Sequence, residues 1–155
     1  TGDYTVEGWF YLNSLTTSGG VSTNAFLWDM RNGSGSTVAG TLVLDNSTFV
    51  PLYQVAGTNV ITGSNAFVAN TWTHVAVTRS GTTFKLWING TNDGTATSST
   101  TQSTNSSDLL YIGTGSYSQG ADRSFTGYID DFRITNGYAR YTANFTPPTA
   151  ALPIY

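Results

Sequence analysis

Two adjacent carboxylates, Asp130 and Asp131, stand inside the strand-like stretch FTGYIDDFRI and are the leading metal candidates in the sequence. Calcium in proteins is held by hard oxygen ligands, chiefly carboxylates and backbone carbonyls, in a flexible loop. Three further aspartates complete a ligand set if the strand ends meet in space: Asp3, Asp108 and Asp122. The alternative is that one carboxylate accepts a backbone hydrogen bond and the other faces water. The sequence contains no DxDxDG loop, so a structural calcium ion rests on these aspartates alone.

Several aromatic side chains alternate with apolar neighbours and so fall on the outer face of their strands. Trp87 points opposite Leu86 and Ile88, and His74 and Trp9 point opposite their own apolar neighbours. Rings gathered on one outer face can stack on the C–H faces of sugars, whereas the alternative is that a loop covers them. The candidate ligand contacts are therefore Trp87, His74 and Trp9, with Tyr53, Asn105, Tyr117 and Arg123 at the rim, because binding residues of sandwiches often lie on loops.

Groups suited to catalysis are scarce. Glu7 is the one glutamate and His74 the one histidine of the chain. Glycoside hydrolysis needs two carboxylates that flank the scissile bond, whereas Asp130 and Asp131 would face opposite ways on a regular strand. A lone histidine inside THVAV is typical of a packed, hydrogen-bonded residue. Because no Ser/His/Asp set, phosphate-binding loop or zinc triad is recognisable either, we predict that the chain is not an enzyme.

The composition favours strands as the elements that position these groups. The 155 residues suffice for one domain with a substantial core, which we expect to span residues 1–155. Hydrophobic residues make up 39% and charged residues only 10%, below the usual quarter, and Thr, Ser, Gly and Asn fill the polar positions. Such a mixture suits strands and turns and is poor for helices. With no cysteine, disulfides and thiolate metal sites are excluded.

The charge balance narrows the classes of partner. A net charge of −3 and a pI of about 4.7 leave no basic patch, which argues against nucleic acid and anionic membrane surfaces. The apolar runs are too short to cross a bilayer. A surface rich in hydroxyls and amides, with Lys85 as the only lysine, suits an extracellular or virion location. The chain starts inside a strand pattern, so we expect it to be part of a longer protein.

Period-2 alternation and turn signals locate the strands. No segment shows a sustained helical period. The strongest hairpin joins residues 72–79 and 83–89 through Ser80-Gly81-Thr82, and Asn89-Gly90 then turns the chain back. Pro51 predicts an edge or a bulge for its strand. Strands are predicted at residues 4–12, 25–30, 38–45, 49–55, 59–62, 66–68, 72–79, 83–89, 91–97, 109–112 and 125–134, whereas 98–107 and 117–123 are predicted loops.

The last strand breaks its own alternation at the aspartate pair. Ile129 has one parity, whereas Phe132 and Ile134 have the other. A regular strand cannot place these three side chains on one face unless a residue is added. We therefore predict a β-bulge at Asp130 and Asp131.

Three blocks in order along the chain resemble the laminin G-like domains of the concanavalin A-like lectin/glucanase superfamily. They are TVEGWFYLN at the start, NTWTHVAVTRSGTTFKLWING in the middle and GYIDDFRITNGYARY near the end. The trailing ARYTANFTPPTA is similar to versions of this module found in phage tail and other surface-adhesion proteins. The resemblance implies an all-β, two-sheet antiparallel jelly-roll sandwich whose first and last strands lie side by side. Glu7 and Arg133 would then be neighbours, either as a solvated surface pair or as an ion pair that clamps the termini.

The resemblance also bears on function. Glycosidases of this superfamily carry acidic residues near the pattern E-x-D-x-x-E on one strand, and Trp9 stands where the next carboxylate after Glu7 would be. The expected function is a non-catalytic carbohydrate-binding or adhesion module for a surface glycan. The alternative is a structural or interaction module of a virion or cell-surface protein without a glycan ligand. Expected partners are a glycan or cell-surface polysaccharide and, through the parent protein, further copies of the chain, which would raise a low affinity per site.

Overall fold

The computed structural model describes residues 2–17, 24–31, 40–100, 108–116 and 123–150. Within them the chain forms ten β-strands, and no helix there is long and apolar enough to cross a membrane. The strands are β1 (Tyr4–Thr17), β2 (Ala25–Asp29), β3 (Gly40–Leu44), β4 (Pro51–Val55), β5 (Thr58–Thr62), β6 (Trp72–Ser80), β7 (Thr83–Ile88), β8 (Thr91–Thr97), β9 (Tyr111–Ile112) and β10 (Phe125–Asn136).

The strands form two five-stranded antiparallel sheets. Sheet I has the order β10-β1-β6-β7-β8, and sheet II has the order β5-β4-β3-β2-β9. The first and last of these strands are neighbours in sheet I, with Tyr4 opposite Asn136 and Leu12 opposite Gly127. The prediction of an all-β jelly-roll sandwich, with its first and last strands side by side, is confirmed.

The core lies between the two sheets and is built from the inward rows of alternating strands. Sheet I contributes Phe10, Val77 and Phe84, none of which is exposed to solvent, and sheet II contributes Trp28 and Leu42, which are equally buried. Burying each large apolar side chain contributes about 1.5–3 kcal/mol. Since period 2 places these residues inward, it must place the intervening side chains on the outer faces.

The predicted bulge is present in β10, one residue further along than expected. Glu7 lies opposite Arg133 and Trp9 opposite Asp130, so Asp131 and Phe132 together oppose Gly8. Asp131 has a φ of 48°, a left-handed conformation that a short polar residue tolerates better than a bulky one. The extra residue returns Phe132 to the core, where its ring lies 5.9 Å from that of Trp28.

Two local predictions differ from the structure. Of the two alternatives for the strand of Pro51, the edge is wrong, because β4 runs between β5 and β3. The bulge alternative agrees with the register shift between Tyr53 and Gln54 in the pairing of β4 with β5, and Pro51 itself is tolerated as the first residue of β4. Residues 66–68 form a loop instead of a strand. Phe67 holds that loop by burying its ring in the core and by donating its backbone N–H to Phe49 O at 3.0 Å.

The segment after β10 crosses the outer face of sheet I. We call residues 138–150 the strap. Near its start, Thr5 Oγ1 donates to Tyr138 O at 3.1 Å, and on the far side of the sheet Lys85 Nζ donates to Thr142 O at 2.7 Å. Phe145 N donates to Gly90 O at 2.9 Å, beside the β7–β8 turn. The strap therefore spans the sheet from β1 to β8.

The tight docking of the strap leaves no room for a side chain at Gly90, and this generates a stability prediction. A Cβ there would lie 1.9 Å from Phe145 O, and the residue has a φ of +78°. Gly57 has a similar φ of +73° in the β4–β5 turn, but its Cβ would meet nothing within 4 Å. Gly57→Ala should lower the free energy of unfolding by about 1 kcal/mol through left-handed strain alone. Gly90→Ala should lower it by about 3 kcal/mol, because it must also displace the strap.

Urea unfolding of both variants, with tryptophan fluorescence as the signal, measures the difference. Equal losses of unfolding free energy in Gly90→Ala and Gly57→Ala would contradict the tight docking of the strap on this turn.

Candidate functional site

Three aromatic side chains form a row across the exposed part of the outer face of sheet I. Tyr11 on β1 is directly opposite Trp72 on β6 and Tyr128 on β10. Ring centroids are 5.5 Å apart for Tyr11 and Trp72 and 5.8 Å apart for Tyr11 and Tyr128. Trp72 is 42% exposed and Tyr128 is 62% exposed. We call these three residues the aromatic row.

A groove lies between the aromatic row and the far end of the strap. It has a volume of about 410 Å³, which is within the usual range for ligand pockets. Trp72 belongs to both the row and the groove. Trp9, one row further along β1, is half-buried and packs edge-on against His74 with ring centroids 5.2 Å apart. The groove is lined by Trp9, Trp72, Asp130, Asp131, Pro148, Thr149 and Ala150.

The bulge brings both residues of the aspartate pair to this groove. On a regular strand Asp130 and Asp131 would point to opposite faces, but the left-handed φ of Asp131 turns the chain so that both line the same cavity. Asp131 N donates to Asp130 Oδ1 at 2.9 Å. The backbone hydrogen bond that the sequence offered as the alternative to calcium is thus present. The pair supplies hydrogen-bond acceptors beside a set of aromatic rings.

The other aspartates of the predicted calcium set are not brought to the groove. Asp3 precedes β1 and accepts a hydrogen bond from Gly81 N at 2.7 Å, next to the far end of β10. Asp108 lies before β9 of sheet II, and Asp122 falls outside the described residues. Within the described ranges, no three His, Cys, Asp or Glu side chains converge as metal ligands. Calcium binding at Asp130 and Asp131 stays a prediction.

Two of the predicted stacking residues are fully buried beneath the strap. Trp87 and His74 do lie on the outer face of sheet I, but 0% and 1% of their surfaces are exposed. Phe145 covers both, with ring centroids 5.7 Å from each. Trp87 Nε1 donates to Thr78 Oγ1 at 2.9 Å, so the indole N–H already has a hydrogen-bond partner within the protein. The prediction that Trp87 and His74 contact a ligand is therefore wrong, because the strap already occupies their faces.

Of the remaining predicted contacts that the structure describes, Trp9 joins the groove, whereas Tyr53 and Arg123 lie elsewhere. Tyr53 is buried in the core, where its hydroxyl lies 2.6 Å from that of Tyr4, so its prediction as a rim contact is wrong. Arg123 lies over the ring of Phe26, on the outer side of sheet II. Asn105 and Tyr117 fall outside the described residues.

Sequence reasoning missed the aromatic row. The sequence patterns place Trp72 at the start of the strand 72–79 and Tyr128 within the strand 125–134, without relating either residue to Tyr11. The signal that identifies the row is the register between β6, β1 and β10, which places the three rings directly opposite one another. Register across non-consecutive strands cannot be read from a single sequence.

Beyond the groove, a buried carboxylate joins the strap to three strands. Glu7 is 0% exposed, and its Oε1 accepts from Arg133 at 2.7 and 3.0 Å. Its Oε2 accepts from Tyr141 Oη at 2.7 Å and lies 3.4 Å from His74 Nε2. The predicted Glu7–Arg133 pair is present, as the clamp and not as the solvated surface pair. We call these four residues the Glu7 cluster.

Opposing effects set the ionisation of the Glu7 cluster. Burial acts to raise the pKa of Glu7, but hydrogen bonds from His74, Tyr141 and Arg133, with the charge of Arg133, hold that pKa below its usual value of 4.5. Burial and the hydrogen bond to Glu7 raise the pKa of the Tyr141 hydroxyl, which therefore stays protonated as a donor. Glu7 thus acts as an acceptor-only carboxylate that three side chains saturate.

Removing the Glu7 charge should cost stability in a pH-dependent way. Glu7→Gln leaves Arg133 without its partner and should lower the free energy of unfolding by about 3 kcal/mol at neutral pH. Because the folded pKa of Glu7 lies below the unfolded one, its contribution is full above pH 4.5 and is lost as pH falls through the folded pKa. The difference in the free energy of unfolding between the wild type and Glu7→Gln should therefore become smaller at acidic pH.

Urea unfolding over a range of pH measures this gap. Asp130→Asn is the matched control: it removes a charge from the same face of sheet I but should change the unfolding free energy by under about 0.5 kcal/mol. If the loss of unfolding free energy in Glu7→Gln were the same at every pH, Glu7 would not have the lowered pKa that its hydrogen bonds imply.

Comparisons with known proteins agree with this architecture. The sequence profile of a laminin G family, described as concanavalin A-like lectin/glucanases superfamily, matches residues 1–140. A search of curated protein sequences found no match. Among solved structures, a candidate carbohydrate-binding protein from Bacteroides ovatus is 18% identical with a TM-score of 0.70, and the match covers 90% of this chain and 38% of that one.

Two further structures share the fold. Domains LG4–5 of the mouse laminin α1 chain are 17% identical with a TM-score of 0.63, covering 96% of this chain and 42% of that one. Domain 4 of an extracellular arabinanase from Geobacillus stearothermophilus, in complex with arabinotriose, is 19% identical with a TM-score of 0.56, covering 86% and 61%. The chain thus spans between 38% and 61% of these proteins. With a family profile matched over residues 1–140, the chain belongs to the laminin G-like domains of the concanavalin A-like lectin/glucanase superfamily.

Proposed function

We propose that this chain is a non-catalytic carbohydrate-binding module that holds a glycan on the aromatic row and in the adjoining groove. The observation that carries the proposal is the row itself: three rings in register, two of them well exposed, on an open sheet face. The negative faces of such rings attract the C–H bonds of a sugar. Asp130 and Asp131, at the groove, supply acceptors for sugar hydroxyls.

The aromatic row has a competing explanation. Cross-strand aromatic pairs stabilise a sheet by about 0.2–1 kcal/mol each even when they bind nothing. Such pairing does not explain why Trp72 and Tyr128 keep so much of their surface exposed while Trp87 and His74, on the same face, are covered by the strap. Contiguous exposed apolar surface beside a polar groove is typical of a binding site.

The state of Glu7 supports a binding role over catalysis. An acid or base of a glycosidase must reach the substrate and exchange a proton with it. Glu7 is buried, and its oxygens accept hydrogen bonds from Arg133 and Tyr141. Asp130 and Asp131 are adjacent along the chain and line one side of the groove, an arrangement suited to hydrogen-bonding a ligand.

The fold neighbours support the class of ligand. One is a candidate carbohydrate-binding protein, and another is a domain of an extracellular arabinanase holding arabinotriose. An extracellular module, carried by a longer protein and directed at a surface polysaccharide, fits both. Adhesion at a cell or virion surface, as in a phage tail, belongs to the same proposal, and repeated copies would raise a low affinity per site.

Truncating either exposed ring of the aromatic row should weaken binding. Against a panel of soluble plant and bacterial polysaccharides, Trp72→Ala and Tyr128→Ala should each weaken binding at least about tenfold, since a lost stacking contact removes on the order of 1.4 kcal/mol. Affinity electrophoresis identifies the bound polysaccharide, and titration calorimetry gives the affinity. Both are run with calcium and with EDTA, which also tests the calcium hypothesis at Asp130 and Asp131.

Tyr138→Ala is the matched control, because Tyr138 is 61% exposed, nearly the same as Tyr128 at 62%, but lies on the strap outside the row. It should bind like the wild type. If the wild type binds no polysaccharide, or if Tyr138→Ala loses as much affinity as Tyr128→Ala, the carbohydrate-binding proposal fails and a structural module is the better description.

A further inference from the structure

A second cavity opens at the end of the sandwich where β6 begins and β7 ends. It has a volume of about 340 Å³, which is within the usual range for ligand pockets. β6 extends beyond β7 here, because Val75 is the first residue of β6 that has a partner on β7, opposite Ile88. We call this cavity the rim pocket, and its lining includes Asn65, Thr73, Ile88, Asn89 and Thr91.

Thr73 carries a hydroxyl that the fold itself does not use. It has the same parity as Val75 and Val77, so it points into the sandwich, and only 5% of its surface is exposed. Within the described residues this hydroxyl has no hydrogen-bond partner, yet its oxygen remains accessible. Buried polar groups are as a rule hydrogen-bonded. Because Thr73 lines the rim pocket, a partner for its hydroxyl has to enter through that pocket.

Two amide side chains of the rim pocket are held in fixed orientations. Asn89 Oδ1 accepts from His74 N at 2.9 Å, so the amide N–H groups of Asn89 are left to donate. Asn65 Nδ2 donates to the carboxylate of Asp93, and Asn65 N donates to the same oxygen at 3.1 Å. The side-chain oxygen of Asn65 is therefore left to accept. Neither of these amide groups has a further partner among the described residues, so the pocket offers an oriented donor and an oriented acceptor.

The rest of the lining is uncharged. Ile88, Val68 and Ala66 supply an aliphatic wall, with Val68 63% exposed, and Thr71 and Thr91 add hydroxyls. Among the described residues that line the pocket there is no Asp, Glu, Lys, Arg or His. A charged ligand would give up water without gaining a counter-charge, which is costly. A ligand with several neutral hydroxyls matches the donors and acceptors that this lining presents.

We propose that the rim pocket is a second binding site, which takes one neutral, hydroxyl-rich sugar residue. A sugar hydroxyl both donates and accepts, so a single ring can satisfy Thr73, Asn65 and Asn89 together. The site is separate from the aromatic row, because Trp72 lies on the outer face of sheet I, whereas Thr73, the next residue, lines the rim pocket. It does not depend on glycan binding at the row. Two sites on one domain let it hold two parts of one glycan.

A cavity that holds only water is the competing explanation, since water can also donate to Thr73. The two explanations differ in the effect of Thr73→Val, which keeps the shape of the side chain and removes the hydroxyl. If bound water makes the hydroxyl part of the fold, its loss should lower the melting temperature. If the hydroxyl serves a ligand, its loss should leave the melting temperature unchanged or raise it, and the affinity for the ligand should fall.

Titration with methyl glycosides tests the site. The probes are the methyl glycosides of glucose, galactose, mannose, arabinose and N-acetylglucosamine, followed by proton–nitrogen correlation NMR of the whole chain. At least one should shift the amide signals of Thr73, Asn89 and Thr91 in a saturable way. Thr73→Val should bind that glycoside about fivefold more weakly, the usual effect of deleting one neutral hydrogen bond. Its melting temperature should be no lower than that of the wild type.

Thr83→Val is the matched control, because it makes the same change on β7 at the opposite end of sheet I. It should keep the full affinity for the glycoside. Tyr128→Ala, in the aromatic row, should keep this affinity too, and Thr73→Val should keep the binding of polysaccharide at the row.

The outcomes separate the rim pocket from the proposed function. If no glycoside shifts the signals of Thr73, Asn89 and Thr91 in a saturable way, the rim pocket is not a sugar site, and the aromatic row is unaffected. A Thr73→Val variant that melts lower, or that binds the glycoside as tightly as the wild type, also overturns the inference. Saturable glycoside binding without any polysaccharide binding overturns the proposed function alone.

Discussion

A carboxylate without contact to water must find replacement partners or give up its charge, and Glu7 is the point at which this constraint shapes the protein. Its partners come from three places: Arg133 on β10, His74 on β6 and Tyr141 on the strap. Each partner is correctly placed only if the register of β10, the pairing of β1 with β6 and the path of the strap are all in place. The buried charge of Glu7 is therefore satisfied only when the β10 register, the β1–β6 pairing and the path of the strap have all formed.

The strap divides the outer face of sheet I into two unlike halves. In one half the strap contributes Tyr141 and Phe145, whose stacked rings have centroids 3.5 Å apart. These two side chains shield Glu7, Trp87 and His74 from solvent. Beyond Trp9 the end of the strap lines the groove together with Trp72, and Trp72 and Tyr128 remain exposed to solvent. The open half owes its position to the closed half, because the same clamp that seals the Glu7 cluster also fixes the wall of the groove.

The fold was largely predictable from alternation and turn residues, because both are local. The inward rows of β6 and β7, the Asn89-Gly90 turn and the break in β10 all follow from neighbours a few residues apart. The site was not, because it depends on contacts remote in sequence. Tyr141 meets Glu7 across 134 positions, and nothing in the alternation of Trp87 or His74 tells whether a strap will cover them. Parity identified the outer face, and only the tertiary structure shows which part of it is open.

The bulge in β10 affects both the packing of the fold and the composition of the site. Its first effect is on packing, since the added residue keeps both Ile129 and Phe132 against the core. Its second effect is on the surface, because with the left-handed φ at Asp131 both residues of the pair line the groove beside Trp9. Gly8 makes the arrangement possible: a side chain there would press on Phe132 and Phe10 at about 3.3 Å. A single inserted residue, opposite a single glycine, thus decides both how the last strand packs and which polar groups the aromatic row has beside it.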